Sequence, residues 1–373
     1  MTIQTIEIYK LDIPFVRPLK IAIGNNTAAS NIIVRILTED GLVGWGEASP
    51  CPAITGDSQE SAYVAAQSFA RLIKGRDPLA IQARMGEICA STIGETSAKS
   101  AFDMALWDIA AKAAGLPLYR YLGGERRELR TDLTIGLQDT VDETVVQARD
   151  ILSMGFETIK MKVGRPGLED VAHVRAVRGC AEPAVKIRID SNQGWDYPTA
   201  VANLSAMATY DIEYSEQPLA AWDYDNCARL RGRVLMPICA DESVFDDRDA
   251  LKLIKAGAVD YLNIKLGKSG GIRTALRINA VAEANGNKCM LGCFGESRLA
   301  LSANAHLAMA RPNIAFVDLD SSYLFKDDPV RNGLSYDESV GGLIHLDDSP
   351  GHGAAIREEY LDPASRIVIS HSE

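Results

Sequence analysis

The 373-residue chain has no Cys-x-x-Cys pair, no Gly-x-Gly-x-x-Gly, no histidines at metal-ligand spacing and no long uncharged apolar run. Seven cysteines at 51, 89, 180, 227, 239, 289 and 293 form an odd, scattered set in a chain long enough to bury a core. They read as reduced, mostly buried thiols rather than staples. The histidines at 173, 306, 345, 352 and 371 fit no zinc pattern, which disfavours a zinc hydrolase, and His306 is expected as a packed core histidine. A nicotinamide fold loses its fingerprint, and a hydrolase elbow is not expected. Gly267-Lys268-Ser269 looks like the end of a phosphate loop, but the first glycine of that motif would fall at Leu262. Gly270-Gly271 then reads as a strand-to-helix turn. Positive charge is also short: 39 Lys+Arg against 50 Asp+Glu give a net charge of −11, which repels a phosphate backbone. Glu7, Lys10 and Asp12 interrupt the segment that a signal peptide would keep apolar, and no apolar stretch approaches the ~18 residues of a membrane span. A cytoplasmic protein acting on small molecules is expected, with no nucleic-acid or membrane partner.

At about 150 residues per domain, the length suits two domains or one large barrel. Ile6–Asp12 and Ile32–Thr38 are rich in β-branched residues and bounded by turn signals, so both read as antiparallel strands. Ser97–Ala114 places Phe102, Leu106, Ile109 and Ala113 on one stripe, and Gly115-Leu116-Pro117 stops the helix. Residues 1–125 therefore read as a small α+β capping domain. Beyond Arg130, β-type runs alternate with amphipathic stretches: Asp132–Leu137, Thr158–Val163, Val185–Asp190, Ile212–Glu216, Met236–Asp241, Tyr261–Lys265, Lys288–Cys293 and Ala315–Asp318. Charged residues end several of these runs at intervals of 24 to 28 residues, which is one strand plus one helix. Eight such units predict a TIM-type α/β barrel over residues 126–320. Residues 321–373 lack the period and are expected to return to the first domain.

Residues at the C-terminal strand ends of such a barrel share one mouth. Asp190, Glu216 and Asp241 end three adjacent strands, so their carboxylates should converge. Three bare carboxylates repel unless a cation lies between them, and a hard divalent ion such as Mg²⁺ resolves the conflict. Lys160 and Lys162 share one face of the second strand, while Lys265 ends the sixth, four staves away. Lys160 is expected to perturb Lys162, since crowded amines titrate low enough to act as bases. Amines on opposite sides of a metal-held carboxylate can remove a proton from one face of a carbon and return it to the other. A lone strand-end acid is ordinarily a cap and a lone lysine ordinarily surface, but six charges at barrel period form a set that would be costly unless used.

Lys160-Met-Lys162, Asp190-Ser-Asn-Gln-Gly-Trp195, Glu216-Gln-Pro218, Asp241-Glu-Ser243 and Asn263-Ile-Lys265-Leu-Gly-Lys-Ser-Gly-Gly271 together resemble the enolase superfamily, muconate lactonizing enzyme subgroup. Gly44-Trp-Gly-Glu-Ala48 extends the resemblance into the first domain. It implies a (β/α)₇β barrel under an α+β cap, one Mg²⁺ on Asp190, Glu216 and Asp241, and acid/base roles for Lys162 and Lys265 with Lys160 beside them. Asp318-Leu319-Asp320 is similar to the Asp-x-Asp signature of dipeptide epimerases, where paired carboxylates seat a substrate ammonium. Thr134, Gly24, Phe294, Gly295 and Arg298 complete the implied substrate site, with Lys20 and Tyr323 nearby. Gly24 and Gly295 stand where the acidic branch, the L-Ala-D/L-Glu epimerases, carries an arginine and a bulky aliphatic, which implies a larger or less charged side chain in the substrate. The same scaffold also serves N-acylamino acid racemases, o-succinylbenzoate synthases and cycloisomerases, whose substrates lack a free ammonium. A silent barrel acting as a binding protein is the rival from another class. A homo-oligomer is expected.

Overall fold

The structure is a computed structural model and describes residues 1–371. Ile3–Ile21, Gly24–Thr38 and Val43–Ala48 form an antiparallel sheet, and Ile367–Ser370 returns to pair with the first of these strands. Alternation divides the sheet's two faces. Ile6, Ile8, Ile32, Val34 and Ile36 pack against helices Gln59–Ile73 and Thr96–Ala113, where Phe69 meets Phe102 edge to face. Tyr9, Leu11, Ile33 and Trp45 face the other way, onto Leu299, Val330 and Ile356.

Two features differ from the sequence expectation. The first two strands run on past Asp12 as a hairpin arm, because Pro14 and Pro18 fall in a register shift between Pro14 and Leu19 where no ladder donor is needed. Helix Thr96–Ala113 is buried nearly all round rather than along one stripe. It lies between the cap sheet and the barrel, and its acids serve both: Asp108 accepts from the backbone N–H groups of Trp45 and His352, and Asp103 from that of Arg273. Gly115, at φ +66°, ends it as expected.

The barrel strands are Leu133–Ile135, Thr158–Lys162, Lys186–Asp190, Ile212–Glu216, Ile238–Ala240, Tyr261–Ile264, Lys288–Leu291 and Ile314–Val317, paired in parallel and in strict chain order. We call them strands one to eight. Side chains bring strand eight back to strand one. Thr131 Oγ1 accepts from Leu319 N–H at 2.8 Å, Asp320 Oδ2 accepts from Thr134 N–H at 2.8 Å, and Arg188 donates to both Asp132 and the Val317 carbonyl. The fold is thus a (β/α)₇β barrel carrying an α+β cap.

All seven cysteines are free, but only Cys227, Cys239 and Cys289 are buried; Cys51, Cys180 and Cys293 are half-buried and Cys89 is exposed. His306 does lie in the core, accepting from Tyr119 N–H, and burial lowers its pKa to about 3. Among the described residues no helix is long and apolar enough to cross a membrane.

A Cβ on Gly46 would lie 1.9 Å from the Ala101 carbonyl oxygen, so close approach of helix and sheet depends on this glycine. Gly46→Ala is expected to lower the unfolding free energy by about 2 kcal/mol in urea denaturation. An unchanged midpoint would contradict the packing argument.

Candidate active site

Asp190 and Glu216 are the last residues of strands three and four, and Asp241 follows strand five by one residue. All three are fully buried, and one oxygen from each lies within 4.8 Å of the others. Burial, reinforced by Asp190, lifts Glu216 to about 7. Burial would also raise Asp241, but Lys265 and Lys268 outweigh it and hold that carboxyl well below the usual range. Glu216 Oε2 and Asp241 Oδ2 are buried without a well-directed hydrogen bond, their nearest partners being the Lys160 and Lys265 ammoniums at 2.7 Å. Three converging hard oxygen donors, two of them with an oxygen lacking a directed hydrogen bond, fit a Mg²⁺ ion.

The lysines grip this triad at different places. Lys162 Nζ lies 2.6 Å from Asp190, whereas Lys265 Nζ lies 2.7 Å from Asp241, so the two amines engage separate members of the set. Lys160 is locked between Asp318 at 2.6 Å and Glu216 at 2.7 Å, with Asp190 at 3.4 Å. The surrounding carboxylates work against low-titrating amines at Lys160 and Lys265. Burial lowers both, yet Asp318 and Glu216 around the first, and Asp241 and Glu216 around the second, raise them well above the lysine range. A divalent ion among the carboxylates would oppose that attraction.

Asp318 and Asp320 lie just beyond strand eight and both line the cavity above the triad. Their environments separate them. Burial opposes ionisation of Asp318, but the Lys160 ammonium wins and depresses its pKa. Burial and the Asp318 charge instead raise Asp320 to about 7. Thr134 and Cys293 line the same space, with Cys293 Sγ 3.9 Å from Asp320.

The cavity, about 150 Å³, is roofed by the capping domain through Leu19, Ile21, Asn26 and Ala28 on the hairpin arm and Pro50 and Ile54 on the following loop. Phe294 and Gly295 line it. Other residues named from sequence do not reach it. Gly24 is exposed at the hairpin tip, and Lys20 pairs with Asp139 on the outside. Arg298 turns away to Asp328 and to the carbonyls of Val330, Asn332 and Leu334, while Tyr323 packs between Phe156 and Tyr336. Nor does Gly295 open room: a Cβ there would sit 3.0 Å from that of Ala29, so the cap already fills the space.

Several site residues escaped the sequence reading. Lys268, fully buried, donates to Asp241 Oδ1 at 2.6 Å and to the Asn263 carbonyl at 3.0 Å. It lies one helical turn after Lys265, a spacing that could have placed it on the same side. Asn263 Nδ2 donates to Glu216 Oε1 at 2.7 Å. Against the expectation that the chain holds no elbow motif, residues 267–271 satisfy the letters Gly-x-Ser-x-Gly, but Ser269 is buried at the end of a four-residue helix rather than presented on an elbow.

The Mandelate racemase / muconate lactonizing enzyme, N-terminal domain, model matches residues 5–123, and the Enolase C-terminal domain-like model matches residues 143–360. The chain belongs to the muconate lactonizing enzyme subgroup of the enolase superfamily. Its similar proteins include the D-Ala-D/L-Ala epimerase of Cytophaga hutchinsonii, 38% identical over 99% of this chain and 100% of that one. Another is the hydrophobic dipeptide epimerase of Enterococcus faecalis, 37% identical over 95% of this chain and 98% of that one. The solved Cytophaga hutchinsonii dipeptide epimerase, complexed with Mg and D-Ala-L-Val, superposes with a TM-score of 0.96 at 38% identity, covering 99% of this chain and 100% of that chain. This family member is an isomerase of the racemase and epimerase class, and its cofactor is Mg²⁺.

Because Asn263 orients Glu216, Asn263→Ala is expected to weaken Mg²⁺ binding about 10- to 100-fold in isothermal titration calorimetry. Wild-type affinity in that variant would remove Glu216 from the metal site.

Proposed function

We propose that the enzyme epimerises dipeptides, inverting the α-carbon of the C-terminal residue by two-base 1,1-proton transfer, and that it prefers side chains without an acidic group. The observation that carries this reading is the attachment of Lys162 and Lys265 to different ends of the carboxylate triad, Asp190 and Asp241. In a barrel of sequential strands, strands two and six stand opposite each other, so a carbon held at the triad has an amine on each face.

An α-proton beside a carboxylate is very weakly acidic, because its loss adds a second negative charge. Asp190, Glu216 and Asp241 would hold Mg²⁺, which would supply positive charge that lowers this cost. Lys162 removes the proton from one epimer and the Lys265 ammonium delivers one to the opposite face; from the other epimer the roles reverse. Lys160, pinned among three carboxylates, neutralises charge rather than moving protons. Asp318 and Asp320 receive the substrate's N-terminal ammonium.

The roof supports the side-chain preference. Phe15, Leu19, Ile21, Asn26, Ala28 and Ile54 bring no cation to the cavity, whose ammoniums all belong to the barrel floor. A glutamate side chain would find no ammonium or guanidinium among these roof residues. Relatives of near-equal identity divide on this point, being named for D-Ala-D/L-Ala and hydrophobic dipeptides on one side and for L-Ala-D/L-Glu on the other, so the preference rests on the roof.

In D₂O with Mg²⁺, uncharged dipeptides are expected to gain deuterium at the C-terminal α-carbon. Lys162→Ala and Lys265→Ala should each abolish epimerisation and leave at most exchange from one epimer. Full two-way turnover in either variant would overturn the assignment. Asp320→Asn should raise KM for a free dipeptide at least about tenfold while sparing any N-acylated amino acid. Equal losses on both substrates would favour an N-acylamino acid racemase. Since protonated Asp320 loses its attraction for an ammonium, KM should also climb as pH falls below about 7, a dependence that Asp320→Asn should flatten.

A further inference from the structure

The loop after strand seven is held from the capping domain. Glu47, 1% exposed at the end of the third cap strand, accepts from Ser297 N–H at 3.0 Å, the Ser297 hydroxyl at 2.7 Å and Ala300 N–H at 3.1 Å. These donors form the N-terminus of barrel helix Arg298–Ala310, where a carboxylate is favoured. Asn31 Nδ2 bridges from the neighbouring strand, donating to Glu47 Oε1 and to the Gly295 carbonyl, both at 2.7 Å. Ala29 presses on Gly295 from the same strand.

What this clamp holds faces Lys265. Phe294 projects from the clamped loop, and its ring centroid lies 4.8 Å from Lys265 Nζ. A Cβ on Gly292 would come within 3.0 Å of Lys265 Cε, so the bare strand end gives the lysine stem room to pass. Lys265 thus pairs with the Asp241 carboxylate and also faces an aromatic ring. An ammonium over a desolvated ring is attracted to its face, and that attraction depends on the ring staying in place. Lys162 takes its ion pair from Asp190, on a different strand.

We propose that Glu47 is a positioning residue for Lys265: through Ser297 and Asn31 it fixes Phe294 against the ammonium, and so tunes proton transfer on one face of the substrate only. The inference rests on the two-base reading. A carboxylate is required because glutamine would turn an N–H₂ toward backbone and hydroxyl donors that need an acceptor. A tether that merely joins cap to barrel would affect both faces alike.

The test uses the full-length Mg²⁺-loaded enzyme and D-Ala-L-Val with its D-Val epimer, reading α-deuterium exchange in D₂O. Lys162→Ala isolates the Lys265 face and Lys265→Ala isolates the Lys162 face. Adding Glu47→Gln is expected to slow exchange about tenfold in the Lys162→Ala background and less than twofold in the Lys265→Ala background. Phe294→Leu leaves the clamp intact and should reproduce the same one-sided loss, which keeps the question decidable if Glu47→Gln does not fold. Equal slowing on both faces, or an unaffected Lys265 face in Phe294→Leu, overturns the proposal. If the single lysine variants both retain full epimerisation, the two-base reading itself falls and this inference with it.

Discussion

Charge confined in a dry bowl governs this structure. Five carboxylates, Asp190, Glu216, Asp241, Asp318 and Asp320, share the mouth of the barrel with the ammoniums of Lys160, Lys162, Lys265 and Lys268. Removing any such group from water costs several kcal/mol unless partners and hydrogen bonds replace the solvent, so the surrounding residues are chosen to complete the coordination of each. Gln217 shows how far this goes. Held at φ +34°, it accepts from the N–H groups of Asp241 and Ser243 and donates to Leu219 and Ser243, which secures the backbone of a triad member. Arg188 does the same lower down, crossing the barrel interior between Asp132, Glu213 and the rings of Tyr214 and Phe316.

The two domains divide the work along this electrostatic line. Barrel strand ends supply every formal charge in the cavity, while the cap supplies shape: a proline-bent hairpin arm and the loop around Pro50. A neutral roof strengthens the charges beneath it by excluding water and adds no charge of its own. The division works only if cap and barrel stay in register. Asp103, Asp108 and Glu47 are buried acids that cross the boundary to satisfy backbone N–H groups, so the interface is fixed by directional bonds as well as by apolar packing.

The charged half was legible in the sequence and the neutral half was not, for a physical reason. Barrel strands are short apolar runs closed by charges at a constant interval, so Asp190, Glu216, Asp241, Lys162 and Lys265 announce themselves by rhythm. The roof has no such rhythm. Pro14 and Pro18 hide the hairpin arm from any propensity argument, although they sit where the ladder breaks. Gly24 and Arg298 misled because position along the chain does not give direction: Gly24 lies exposed at the tip of the arm, and Arg298 turns out to cap the loop through Val330–Leu334. Gly295 misled for the opposite reason, since the space it vacates is filled from another domain by Ala29. Lys268 was hidden by a motif it does not belong to.

Asp318 and Asp320 show that identical residues on one face can carry different duties. Lys160 lies 2.6 Å from Asp318 and keeps it ionised, which makes that carboxylate a fixed charge. Asp320 receives the Thr134 N–H and a weak thiol contact but no ammonium of its own, and the neighbouring negative charge discourages its ionisation. Any cation entering between them reverses that balance, because it stabilises the charged form of Asp320 far more than the already ionised Asp318. Binding and deprotonation are therefore linked at this one residue. The second negative charge of the pair is favoured most when a positive charge lies beside Asp320.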